Sequence, residues 1–236
     1  MKDLQTQYRG PGIDAGFGRA GAVTPAQRVL RQTYSLLSLT LLFSAAMAGV
    51  SMALHVPYGL SLMCSLVSMG LLWFVVPRTA NSEAGIWVVF GVTGLLGFGL
   101  GPIINMHLKM ANGPQTVMMA LGLTGAIFVG LSAYAVKTRR DFSFMRGFLV
   151  GGIILAFTLS IGLLIASFFG VYLQPLSLAI SAMFALLMCG MILYQTGDII
   201  NGGETNYVLA TVSLYLSIYN LFLSLLQLLG YANSDD

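Results

Sequence analysis

The chain has 236 residues, 57% of them hydrophobic and 8% charged, with a formal net charge of +3. A soluble domain carries about 25% charged residues, so this composition excludes one. Charge-free stretches at 32–77, 84–108, 110–136 and 147–197 make the chain a polytopic helical membrane protein.

Residues 1–24 are polar and Gly-rich, lack the apolar core of a cleavable signal, and are expected to form a flexible tail. Thr24-Pro25-Ala26-Gln27 reads as a helix start, with Thr24 as N-cap, Pro25 at the first helical position and Gln27 closing a capping box. About 20 apolar residues cross a bilayer. Seven segments qualify, roughly 32–54, 58–76, 85–105, 116–136, 147–169, 173–196 and 207–230. The expected fold is an all-α bundle of seven transmembrane helices over 25–230, with a short acidic tip at 231–236.

The basic residues predict sidedness. With the N-terminus inside, Lys2, Arg9, Arg19, Arg28, Arg31, Arg78, Lys137, Arg139, Arg140 and Arg146 fall on the cytoplasmic side and only Lys109 on the other. Lys and Arg collect in cytoplasmic loops, so the C-terminus is expected outside, on the periplasmic face of an inner membrane.

The third span is rich in glycine. Gly97 and Gly101 form a GxxxG there, followed by Pro102, and Gly147 and Gly151 form another in the fifth span. Small residues let helix backbones approach closely in lipid, so both pairs are expected to pack helices. Pro102 is expected to break or kink its helix. Cys64 and Cys189 lie in different spans and read as packing residues, and His55 and His107 read as structural residues at helix ends.

Two apolar runs, at 173–195 and 207–229, are joined by the acidic, Gly-rich loop 198–206. Asp198 falls in the last turn of the sixth helix, where the macrodipole disfavours it, and Arg78, Arg139 or Arg140 could balance it. Gly202 and Gly203 supply a left-handed stop, and Glu204 precedes the seventh helix. Asp198 and Glu204 together read either as a capped helix turn or as an ion or gating site. The seventh span carries Ser213, Ser217, Asn220, Ser224 and Gln227 at spacings of 4, 3, 4 and 3, all on one helical face. Such a stripe faces either neighbouring helices or a conduction path.

Catalytic signatures are missing from the sequence. No span contains a histidine, and neither HExxH nor a Walker loop occurs. Lysines and span-centre carboxylates are absent from the spans, which argues against a retinal Schiff base or a proton relay. No enzymatic activity, cofactor, metal or nucleic-acid partner is expected.

The stretch from Tyr194-Gln195-Thr196-Gly197-Asp198 through Asn201-Gly202-Gly203-Glu204 to Ser217-Ile218-Tyr219-Asn220 resembles the signature of the Bax inhibitor-1 family. Val29-Leu30-Arg31-Gln32-Thr33-Tyr34 and Gly101-Pro102-Ile103-Ile104-Asn105 resemble its bacterial YccA branch, and the likeness covers residues 28–230. The resemblance implies seven helices with the last surrounded by the other six. It also implies binding and modulation of the FtsH membrane protease, or alternatively calcium or cation leak. Leak members close their pore with an aspartate pair. The corresponding positions here are Gln195 and Ser217, and the second-span arginine of such members has no counterpart. A carboxylate pair shares a proton and senses pH, whereas Gln195 and Ser217 can share only a hydrogen bond. The ladder is therefore expected to be mainly the hydrogen-bonded seam of a central helix.

Overall fold

The computed structural model describes residues 24–110, 112–171 and 173–233. Among the described residues, seven helices are long and apolar enough to cross a membrane. They are α1 (Pro25–Ala53), α2 (Tyr58–Thr79), α3 (Ala84–Leu108), α4 (Gly113–Thr138), α5 (Arg146–Phe168), α6 (Gln174–Asn201) and α7 (Tyr207–Ala232). The expected tail at 1–23 and the last three residues of the acidic tip lie outside the described residues.

Local chemistry sets several boundaries. The Thr24 hydroxyl accepts from the Gln27 amide at 3.3 Å, and the Gln27 side chain accepts from the Thr24 amide at 3.1 Å, closing the capping box that starts α1. In α2 the turn Leu71–Val75 widens to π geometry. Pro77 follows it, has no N–H to donate and crowds the carbonyl four residues back. Pro102, by contrast, neither breaks nor ends α3, which runs on to Leu108. Here the expected break is corrected. Pro102 leaves the Phe98 carbonyl without its helical donor, and at the next residue the Ser61 hydroxyl of α2 donates to the Gly99 carbonyl, holding the two helices together there.

The bundle is layered around α7. In its most apolar window 61% of α7 is buried, against 17% for α2 and 11% for α5. Its neighbours are α1, α3, α4 and α6, while α2 packs on α3 and α5 on α6. The arrangement implied by the resemblance, six helices around the last, is thus corrected to four around it and two outside. One continuous core joins Leu37, Val89, Val92, Leu149, Ile192, Leu214 and Leu221 across α1, α3, α5, α6 and α7.

The glycines divide by what faces them. A Cβ on Gly97 would strike the Ser44 carbonyl, and one on Gly101 the Ser51 hydroxyl, so both lie where α3 meets α1. Gly147 and Gly151 face open space and are exposed, which corrects their expected packing role. In the α5–α6 seam the close approaches are made by Gly152 against Leu187 and Gly190 against Leu149. His107 is buried, with Nδ1 2.9 Å from the Ile103 carbonyl and its ring over Gly230. His55 closes the turn after α1 at a φ of 50°. Cys64 and Cys189 are free and half-buried.

Candidate functional site

The ladder on α7 meets α6 through Ser217 and Gln227, and Ser217 and Ser224 are themselves buried. Ser217 donates to the Gln195 side-chain oxygen at 3.1 Å and shares its hydroxyl with the Ser213 carbonyl, also at 3.1 Å. Ser217 is buried and Gln195 half-buried, so this neutral bond sits inside the helix pair. A hydroxyl and an amide keep one protonation state across the physiological range. The junction can tie two helices together but cannot titrate.

Farther along α7 the ladder changes character. Ser181 donates to the Gln227 oxygen at 2.8 Å, and the Gln227 amide nitrogen donates to Ser177 at 2.7 Å, forming a second tie between α6 and α7. Between the two ties, Asn220 donates to the Leu216 carbonyl and Ser224 to the Asn220 carbonyl, both at 2.8 Å within their own helix. Asn220, Ser224 and Gln227 line a crevice of about 640 Å3, with Ser160 and Ser167 of α5 on its far wall. The ladder is therefore a seam at Ser217 and Gln227, while Asn220, Ser224 and Gln227 form the wall of a partly polar crevice.

The loop after α6 is built around its backbone. Gly202 takes a φ of 80°, and the Gly203 amide bonds the Asp198 carbonyl at 2.9 Å. A Cβ on Gly203 would collide with the Asp198 carboxylate, so this side chain lies folded over the loop. Glu204 accepts from the Asn206 amide at 2.7 Å. Among the described residues, of the arginines expected as partners for Asp198 only Arg78 has its side chain in a hydrogen bond, and Arg139 and Arg140 enter through their backbones. Arg78 donates to the Phe74 carbonyl at 3.1 Å, Arg140 offers its carbonyl to Asn201 at 3.2 Å, and Arg139 ends α4 at a φ of 50°. Among the described residues no cluster of three or more His, Cys, Asp or Glu is placed to hold a metal ion.

Two groups escaped the sequence reading. Asn206 caps α7 by accepting from Val208 and Leu209 at 2.8 and 3.2 Å, and its amide reaches Ala80 and Asn81 at 3.0 and 2.8 Å. The cap was legible as an Asn directly before an apolar run, but the link to the α2–α3 loop was not. Tyr215 is the second. Its hydroxyl lies 2.6 Å from Ser44 of α1 and donates to the Thr93 carbonyl of α3 at 3.3 Å, on the face away from the ladder. No spacing rule joins partners 171 and 122 residues apart.

Comparison with known proteins fits this architecture. The family model described as Inhibitor of apoptosis-promoting Bax1 matches residues 26–234. The chain is 49% identical over 208 residues to the Modulator of FtsH protease YccA of Escherichia coli K12, covering 88% of this chain and 92% of that protein. Identity is 46% over 209 residues to an uncharacterized membrane protein of Vibrio cholerae, covering 89% and 92%. It is 49%, again with 88% and 92% covered, to a protein of Escherichia coli O6:H1 named Inner membrane protein YccA. A match across nearly the whole bundle, including both helices of the candidate site, means that this chain belongs to the Bax inhibitor-1 family.

Proposed function

We propose that this chain is a non-enzymatic regulator that binds and modulates an FtsH-type membrane protease. The observation that carries the reading is its 49% identity, over most of both chains, to a protein named Modulator of FtsH protease. The neutral Gln195–Ser217 bond supports it against a pH-gated cation path, because neither side chain can bind or release a proton there. The excess of Lys and Arg on one side supports a cytoplasmic N-terminus and a periplasmic C-terminus in the inner membrane. Residues 1–23, on the cytoplasmic side in this reading, are the handle the protease engages.

The test is co-purification with the protease from mild detergent, paired with degradation of a membrane substrate in the presence of the full chain or of a chain lacking residues 1–23. The full chain should co-purify and slow degradation, and the truncated chain should lose the effect. Failure of both association and inhibition by the full chain overturns the reading, whereas an active truncated chain overturns only the handle. Calcium flux into proteoliposomes should not exceed that of protein-free vesicles. Flux that Asp198→Asn abolishes would put a cation path in place of the regulator.

A further inference from the structure

A groove of about 550 Å3 runs down the outside of the bundle between α1 and α3, at the end where α1 begins. Its lining changes in three tiers. Arg28 and Arg31 stand at the top, both exposed and one helical turn apart. Tyr207 stands level with them, Gln32, Ser35 and Ile86 follow, and Leu36, Leu39 and Phe90 form the lowest tier. The α1 members recur at spacings of three and four and so form one stripe along the helix. From Arg28 to Leu39 the helix rises roughly 16 Å at about 1.5 Å per residue, enough to pass from the headgroup layer into one leaflet's acyl region.

The geometry points to a binding site for an anionic phospholipid, with its phosphate on Arg28 and Arg31 and an acyl chain along Leu39 and Phe90. The order of tiers matches the order of chemistry in the ligand: anionic phosphate, ester-linked glycerol, hydrocarbon. Guanidinium groups bind phosphate oxygens in a bidentate fork, while Gln32 and Ser35 offer uncharged hydrogen-bonding groups just below them, at the depth of the esters. The floor is fixed, because Phe90 meets Phe43 of α1 edge-on at 5.5 Å. Charge is complementary as well. No acid lines this groove; Glu204 lines an adjoining groove that shares Arg28 with it and already accepts the Asn206 amide, and Glu83 lines another that shares Ile86 and Tyr207. A helix face of arginines alone would attract any anion, and it is the apolar track beneath them that selects a lipid.

The experiment is native mass spectrometry of the full chain in detergent, titrated with phosphatidylglycerol or phosphatidylcholine. The wild type should prefer phosphatidylglycerol by about thirtyfold, from roughly fivefold per arginine near an anionic surface. The preference should collapse toward unity in Arg28→Gln/Arg31→Gln and in high salt. It should survive in Arg139→Gln/Arg146→Gln, which removes as much charge from the same end of the bundle. Millimolar glycerophosphate, which has the headgroup chemistry but no acyl chain, should fail to displace the lipid. Equal binding of the two lipids, retention of the preference in the Arg28→Gln/Arg31→Gln chain, or displacement by glycerophosphate would each overturn the assignment. So would an arginine variant that loses only protease association, since the stripe would then be a protein contact. The lipid-binding readouts do not depend on the protease reading.

Discussion

On one side of α7 the Tyr215 hydroxyl joins Ser44 at 2.6 Å and the Thr93 carbonyl at 3.3 Å, and the helix seats against α1 and α3. On the other side Ser217, Asn220, Ser224 and Gln227 meet α6 at two ties and border a crevice between them. The first face is deeply buried, with Tyr215 only 1% exposed, whereas Gln227 is an exposed residue. Both faces carry buried hydroxyls, Ser217 and Ser224 among them at 3% and 6% exposed, but the ladder face opens toward Gln227. The difference comes from the partner helices. α1 and α3 approach through serine and glycine with almost no side chain between them, but α5, beyond α6, packs on α6 and not on α7. Polar groups in a membrane protein thus mark a seam only where small residues bring a third helix close.

Glycine substitutions test that distinction most severely. Gly97→Ala drives a methyl into the Ser44 carbonyl, and because a backbone atom cannot rotate away, α1 must move. Overpacking of this kind costs about 3 kcal/mol, and Gly101→Ala against Ser51 should behave similarly. Gly147→Ala meets nothing within 4 Å and should stabilise α5 slightly, by up to about 0.5–1 kcal/mol from helix propensity. Thermal unfolding followed by size-exclusion in detergent would show opposite signs for the two pairs. Equal effects would mean that the glycine spacing, and not the neighbouring backbone, controls packing.

This contrast also shows what was legible in the sequence. Seven apolar runs, the capping box at Thr24 and the stop at Gly202 were readable because each rests on local spacing or on a backbone conformation only certain residues allow. The two GxxxG pairs look alike in sequence, since the motif specifies a smooth helix face but not what that face meets. Gly97 meets Ser44 from 53 residues earlier, whereas Gly147 meets nothing. The ladder was legible as a stripe, and the motif likeness brought Gln195 and Ser217 together. Tyr215 was hidden because an aromatic among Leu and Val reads as core, and its hydroxyl finds partners only after α1 and α3 have packed.

The Tyr215 knot should come next in size. Tyr215→Phe keeps the ring, including its stacking on Tyr219 at a centroid distance of 6.1 Å, and deletes only the hydroxyl. It leaves Ser44 and the Thr93 carbonyl without this partner in a buried site, for about 1–2 kcal/mol. Tyr215→Phe combined with Ser44→Ala should cost less than the sum of the two, because the second change removes the stranded partner. Strict additivity in urea or thermal unfolding would show that the pair does not couple.

The ladder ties should give the smallest effects. Hydrogen bonds between membrane helices average about 0.6 kcal/mol, and Ser217 keeps an alternative acceptor in the Ser213 carbonyl when Gln195 is removed. A double-mutant cycle of Ser217→Ala with Gln195→Leu should therefore couple by about 0.5 kcal/mol. For Ser181→Ala with Gln227→Leu the expectation is smaller still, since Gln227 is exposed and retains Ser177 as a partner. A coupling above about 1.5 kcal/mol at Ser217, matching the Tyr215 side, would mean that the α6 face is sealed by a third element as firmly as the α1–α3 face. The crevice beside Asn220 would then be closed in the membrane, and cysteines placed at Gln227 or Ser160 would resist a water-soluble thiol reagent. With the weak coupling expected here, both positions should label while a cysteine at Tyr215 does not, separating the two faces by accessibility as well as by energy.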